Sequence, residues 1–171
     1  MENSKPNPIT VDPEGGEILA VVGGNYRVLV SGKQTNGAFS TIEMLVPPQN
    51  GPGPHSHASF YESFYILDGE VEVHSEAGTY TAKKGSFVVV PEGGIVHYFK
   101  NVSDQMAQLL CMVVPAGLEE FFEEIGEPVA AGEFLPSPPM DPESIKTIQA
   151  IAEKHGQILY PPDFLDQKDG E

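Results

Sequence analysis

The chain has 171 residues, of which 25 are acidic and only 9 basic, giving a formal charge of −16. An acid excess of this size repels phosphate backbones and anionic lipid, so neither nucleic acid nor a membrane surface is an expected partner. With 18 glycines, 16 prolines and no tryptophan, the composition suits many short strands joined by turns, and the length suits one well-buried core.

Residues 1–15 are polar and proline-rich and are expected to form an arm. The opening Met1-Glu2-Asn3-Ser4-Lys5-Pro6 has no signal-type apolar stretch and no run approaches ~18 apolar residues, so a cytoplasmic location is expected. From residue 16 to 115 short β-rich runs follow one another. Ile18 to Val22, Tyr26 to Val30 and Ala38 to Val46 are separated by Gly23-Gly24-Asn25, Ser31-Gly32 and Asn36-Gly37, which read as turns. Pro47 to Pro54 cannot be a regular central strand, because proline lacks the ladder donor, and it becomes a stiff loop presenting His55. Ser63 to Leu67, the turn Asp68-Gly69 and the alternating Glu70 to His74 predict a hairpin; Thr79 to Ala82, Phe87 to Val90, Ile95 to Lys100 and Met106 to Val114 supply four further strands. The single Cys111 excludes an intrachain disulfide and sits in an apolar run as a small hydrophobe.

After Pro115 the pattern changes. Leu118, Phe121, Phe122 and Ile125 recur at helical spacing, and Gly126 ends that helix. Residues 127–140 are a proline-rich loop. Asp141-Pro142-Glu143 then opens a second helix as N-cap, first-turn proline and early acid, with Ile145, Ile148, Ile151 and Ala152 as its buried stripe and Gly156 as its C-cap. Residues 116–171 are expected to form a helical appendage packed on the β body.

The chemistry lies in His55, His57, Glu62 and His97. Alternate residues of an extended segment share a face, so His55 and His57 project together; Glu62 returns to that face after a short turn, and His97 arrives from a non-neighbouring strand. Three imidazoles and one carboxylate make a first-row transition-metal site suited to Fe, Mn, Ni, Co, Cu or Zn. Four protein ligands leave one or two positions for a small-molecule substrate, water or dioxygen, and Glu62 is the one nearby carboxylate that, on moving off the metal, could act as a general base toward an acidic hydroxyl. Phe64 and Ile66 share the face of Glu62, and Ile95 and Phe99 that of His97, as candidate walls of an apolar pocket. Tyr61 points away. His74 and His155 stand alone and read as solvated.

These residues also carry a resemblance. Gly53-Pro54-His55-Ser56-His57 with Glu62 and Gly69 resembles the first cupin motif, and Gly85 with Pro91-Glu92-Gly93, His97 and Asn101 resembles the second. The resemblance implies an all-β fold, the cupin double-stranded β-helix or jelly-roll barrel with a metal at its mouth, here followed by the two C-terminal helices. The order of Gly-Pro-Gly-Pro-His-Ser-His, Glu-Ser-Phe-Tyr-Ile-Leu-Asp-Gly-Glu and Pro-Ala-Gly-Leu-Glu-Glu-Phe-Phe is similar to single-domain cupins of the quercetin 2,3-dioxygenase-like type. That implies a metal-dependent dioxygenase acting with O2 on a small phenolic or enolic molecule, with His55, His57 and His97 as ligands and Glu62 as ligand and catalytic base. Ser59-Phe60-Tyr61 departs from the acidic stretch such proteins carry before the glutamate. Two other readings stay open, a metal-dependent isomerase and a non-catalytic ligand-binding cupin. Exposed strand edges such as Ile18 to Val22 predict a homodimer.

Overall fold

The alternation seen in the sequence becomes strands with one face buried and one wet. A computed structural model describes residues 6–166. Its elements run β1 Glu17–Val21, β2 Gly24–Val30, α1 Gly32–Thr35, β3 Ser40–Val46, β4 His55–His57, β5 Tyr61–Asp68, β6 Glu70–Ser75, β7 Gly78–Lys83, β8 Phe87–Val90, β9 His97–Lys100, β10 Ala107–Val114, α2 Leu118–Ile125, β11 Glu127–Pro128, α3 Pro142–Lys154 and β12 Gln157–Leu159. They form two antiparallel sheets, β11-β1-β2-β3-β10-β5-β8 and β12-β4-β9-β6-β7, which is the expected jelly-roll barrel.

One core joins the sheets. Ile42, Met44, Phe64, Ile66, Leu109 and Val113 enter from the larger sheet, and Val71, Val73, Ala82 and Phe99 from the smaller. Phe64 meets Phe99 edge to face at 5.3 Å, a favoured aromatic geometry. Phe64, Ile66 and Phe99 therefore fill the barrel as packed core, while Ile95 is half-buried against it. The β5–β6 hairpin turns at Gly69, whose φ of 72° lies in the left-handed region and where a Cβ would stand 2.7 Å from the Met106 carbonyl oxygen. Only glycine fits there without strain.

Several local features differ from expectation. The turns at Ser31-Gly32 and Asn36-Gly37 enclose one helical turn, α1, because the Gln34 side chain accepts a hydrogen bond from the Ser31 N–H at 2.9 Å and Asn36 takes the left-handed conformation that ends it. The proline-rich loop after α2 begins with a two-residue strand, β11, paired to β1; Pro128 is tolerated because it lies at the sheet edge. β11 also covers the β1 edge that had been expected to lie open. Helix α3 is capped by Asp141 as expected, its side chain accepting from Glu143 and Ser144 N–H. Of its stripe only Ala152 is fully buried; Ile145, Ile148 and Ile151 are half-buried, since the helix rests on α2 and β12 and not across the sheet. Among the described residues no helix is long and apolar enough to cross a membrane.

Candidate metal centre

Strand pairing assembles the site. His55 of β4 lies opposite His97 of β9, while Glu62 enters from β5 in the other sheet, opposite Val113 and Val90. All four candidate residues are buried. Glu62 Oε2 is 3.2 Å from His97 Nε2, 3.3 Å from His57 Nε2 and 4.0 Å from His55 Nε2. The donor atoms of His55, Glu62 and His97 all fall within 4.8 Å of one another, so this trio could hold a metal ion. His57 joins through Glu62; its ring centroid lies 6.3 Å from that of His55 and 4.8 Å from that of His97.

Backbone carbonyls fix the orientation of each imidazole. His55 Nδ1 is 2.9 Å from the Gly53 oxygen, His57 Nδ1 3.0 Å from that of Phe60, and His97 Nδ1 3.0 Å from that of Ile95. A carbonyl can only accept, so each Nδ1 carries the proton and a neutral ring turns a bare Nε2 lone pair toward Glu62. The proline loop before β4 thus does more than present His55, because its Gly53 carbonyl selects the tautomer. Phe60 stacks on His57 at 4.1 Å and 15° and holds the second ring flat.

Burial, with His97 alongside, pushes His55 down to about 4, so its ring is neutral near pH 7. The centre gathers one carboxylate oxygen and three imidazole Nε2 atoms, each able to offer a lone pair to a cation. Such a set repels itself unless a cation lies within it, and its three imidazoles and one carboxylate fit a first-row divalent ion.

Two neighbours were not legible as site residues. Cys111 Sγ lies 3.7 Å from Glu62 Oε1, on the side of the carboxyl away from the histidines, and burial followed by the Glu62 charge raises its thiol well above the usual value. Its inward position on β10 follows from alternation with Leu109 and Val113, but its diagonal relation to Glu62 depends on the β5–β10 register. Strand β12 pairs with β4, Gln157 opposite His57 and Leu159 opposite His55, bringing the C-terminal segment to the metal centre. No local pattern marks a three-residue strand after a helix.

Tyr61 is exposed and faces outward as expected. His74 and His155 are not simply solvated. His74 stacks on Tyr98 at 4.6 Å and lies 3.1 Å from both Glu72 and Thr79; His155 lies 2.7 Å from Glu124 at the junction of α3 with α2. Glu72 shares β6 with His74, but Thr79 and Tyr98 come from the flanking strands β7 and β9 and Glu124 from the neighbouring helix, which residue-by-residue reading does not reveal.

Comparison with known proteins places this geometry in context. Residues 42–113 match the family described as Cupin domain. The chain is 23% identical over 154 residues to quercetin 2,3-dioxygenase of Bacillus subtilis, covering 90% of this chain and 45% of that protein. It is 28% identical over 108 residues to quercetin 2,3-dioxygenase of Aspergillus japonicus, covering 59% of this chain and 30% of that one. The chain therefore spans less than half the length of these curated relatives. Among solved structures, ectoine synthase from P. lautus aligns with a TM-score of 0.52 at 24% identity, covering 74% of this chain and 90% of that one. A sugar phosphate isomerase from Silicibacter pomeroyi aligns at 0.54 and 18%, covering 63% and 76%. At these identities the structural likeness concerns the fold alone.

Proposed function

We propose that this chain, a cupin resembling quercetinase-like proteins, holds a divalent transition metal through His55, His57, Glu62 and His97 and acts as a dioxygenase on a small phenolic or enolic molecule. One observation carries the reading: three buried imidazoles, each locked by a backbone carbonyl, turn Nε2 toward a single carboxylate oxygen at 3.2 to 4.0 Å. A bound ion supplies Lewis acidity and open coordination positions. Fe, Mn, Ni, Co, Cu and Zn all match the donor set. Released from the ion, the Glu62 carboxylate would be the acceptor to which an enolic or phenolic hydroxyl gives up its proton, and the buried setting limits competing water there. The identity to two quercetin 2,3-dioxygenases supports the choice of substrate class.

A homodimer belongs to the same proposal. On the outer face of β8, β5 and β10, Phe87 stands beside Tyr65, and Val89, Ser63 and Met112 form the next row, with Tyr61 beside Val114. Phe87, Val89, Tyr61, Tyr65, Met112 and Val114 are all exposed, and β8 is an open sheet edge. A contiguous apolar face at an unpaired edge suits a second copy of the chain.

The test is oxygen consumption by untagged protein with each metal restored in turn, using quercetin first and other enolic compounds next. Uptake that requires both metal and substrate is expected. Absence of uptake under every combination would overturn the dioxygenase reading, with turnover lacking oxygen use pointing to an isomerase and binding without turnover to a ligand-binding module.

A further inference from the structure

We propose that Gln157, on the C-terminal strand β12 and outside the matched cupin region, is a ligand-binding residue of this centre whose side-chain amide donates a hydrogen bond to an anionic oxygen of the bound molecule. The inference rests on the metal-centre reading and names the kind of atom that molecule presents.

Register supplies the placement. Directly opposed residues in an antiparallel pair leave the sheet on the same face. Gln157 opposes His57 and Leu159 opposes His55, so both emerge on the face that carries the imidazoles, whereas Ile158, opposite Ser56, turns outward and is 54% exposed. The strand is fixed at several points. The Tyr160 N–H donates to the Pro54 carbonyl at 2.9 Å, the Tyr160 and Ser56 hydroxyls lie 3.3 Å apart, and His155 anchors the preceding helix end on Glu124.

The chemistry supplies the partner. Gln157 is only 3% exposed, and its Nε2 has no hydrogen-bond partner among the described residues. A buried donor left unpaired forfeits its hydration without compensation, and folded proteins leave few of them. The metal-facing atoms of the protein are all acceptors, three Nε2 lone pairs and a carboxylate. An amide nitrogen is a donor and a poor metal ligand, so it complements what those acceptors do not provide for, a negatively charged oxygen of a third component. Enolate, phenolate and carboxylate oxygens have this character.

The experiment loads untagged protein with nickel, removes the free ion, and titrates quercetin under nitrogen, following the flavonol absorbance for wild type, Gln157→Met and Gln157→Glu. Metal content and melting temperature are measured alongside. Losing a hydrogen bond to a charged oxygen should weaken quercetin binding about 10- to 100-fold in Gln157→Met, and further in Gln157→Glu, where a carboxylate meets the anion. Metal content should match wild type. Gln157→Met conserves volume and removes an unpaired buried donor, so it should melt no lower than wild type. Quercetin affinity within twofold of wild type in the Met variant would overturn the proposal, as would loss of metal or a melting temperature several degrees lower, either of which would make the amide a support of the fold. Wild type that holds nickel yet binds no quercetin would remove the underlying reading of the site and this proposal with it; tight binding by wild type and variants alike would remove Gln157 alone.

Discussion

Glu62→Gln separates the charge at the centre from its shape. In wild type the carboxyl is surrounded by three Nε2 atoms at 3.2, 3.3 and 4.0 Å on one oxygen and by Cys111 Sγ at 3.7 Å on the other. An amide occupies the same volume, removes a buried anion, and can turn its N–H groups toward the imidazole lone pairs. The metal-free variant should therefore stay within about 1 kcal/mol of metal-free wild type, a shift of roughly 2–4 °C. The response to metal should differ far more. At a free-metal concentration a hundred times Kd, binding to the folded state alone stabilises by about 2.7 kcal/mol, and a site weakened a hundredfold by loss of its anionic ligand gains only ~0.4 kcal/mol at the same concentration. For a chain of 171 residues the wild-type gain corresponds to about 5–10 °C. Thermal unfolding followed by circular dichroism, with chelator-treated and metal-loaded samples of both proteins, reads all four values. Equal stabilisation of both proteins by metal would refute the reasoning, and so would a metal-free variant melting many degrees below metal-free wild type.

Two further predictions concern the frame and the assembly. Buried Glu119 accepts hydrogen bonds from Gly32 N–H at 2.5 Å and Gly117 N–H at 2.9 Å; burial alone would raise its carboxyl, but these donors hold it below the ordinary range. A depressed folded-state value means that its contribution is complete above the ordinary ~4.3 and is lost as pH falls through the lower folded value. Glu119→Gln should then cost about 1–3 kcal/mol at pH 7, with the gap to wild type closing in acid; urea unfolding showing the same gap at all pH values would contradict this. Phe87→Glu, on the exposed face of β8, should yield a monomer where wild type is a dimer by light scattering, and a wild type that stays monomeric at high concentration would remove the dimer proposal.

The strands and the centre differ in how they were written in the sequence. Period-two alternation made Glu70 to His74 and Met106 to Val114 legible, because each strand needs only its own residues to define an inward face, and Asp68-Gly69 marked the hairpin because its backbone requires a left-handed glycine. His55 and His57 were nameable for a related reason, alternate residues of one short strand sharing a face, whereas Glu62 on β5 and His97 on β9 were nameable through the spacing of the two motifs they resemble. Features that depend on register between distant segments were not legible. The pairing of Gln157 with His57, the diagonal of Cys111 to Glu62 and the contact of His155 with Glu124 leave no local period. Helix α3 shows the same limit in another form. The spacing of Ile145, Ile148 and Ile151 identified the docking face, but the depth of burial depended on how much surface α2 and β12 offer.

The central claim, that His55, His57, Glu62 and His97 hold one transition-metal ion, is tested most directly by metal analysis of untagged protein purified without chelator. Wild type should carry about one ion per chain after reconstitution, and His57→Ala and His97→Ala should each lose most of it, since water replaces a fixed imidazole poorly. One ion per chain in both variants would contradict the assignment.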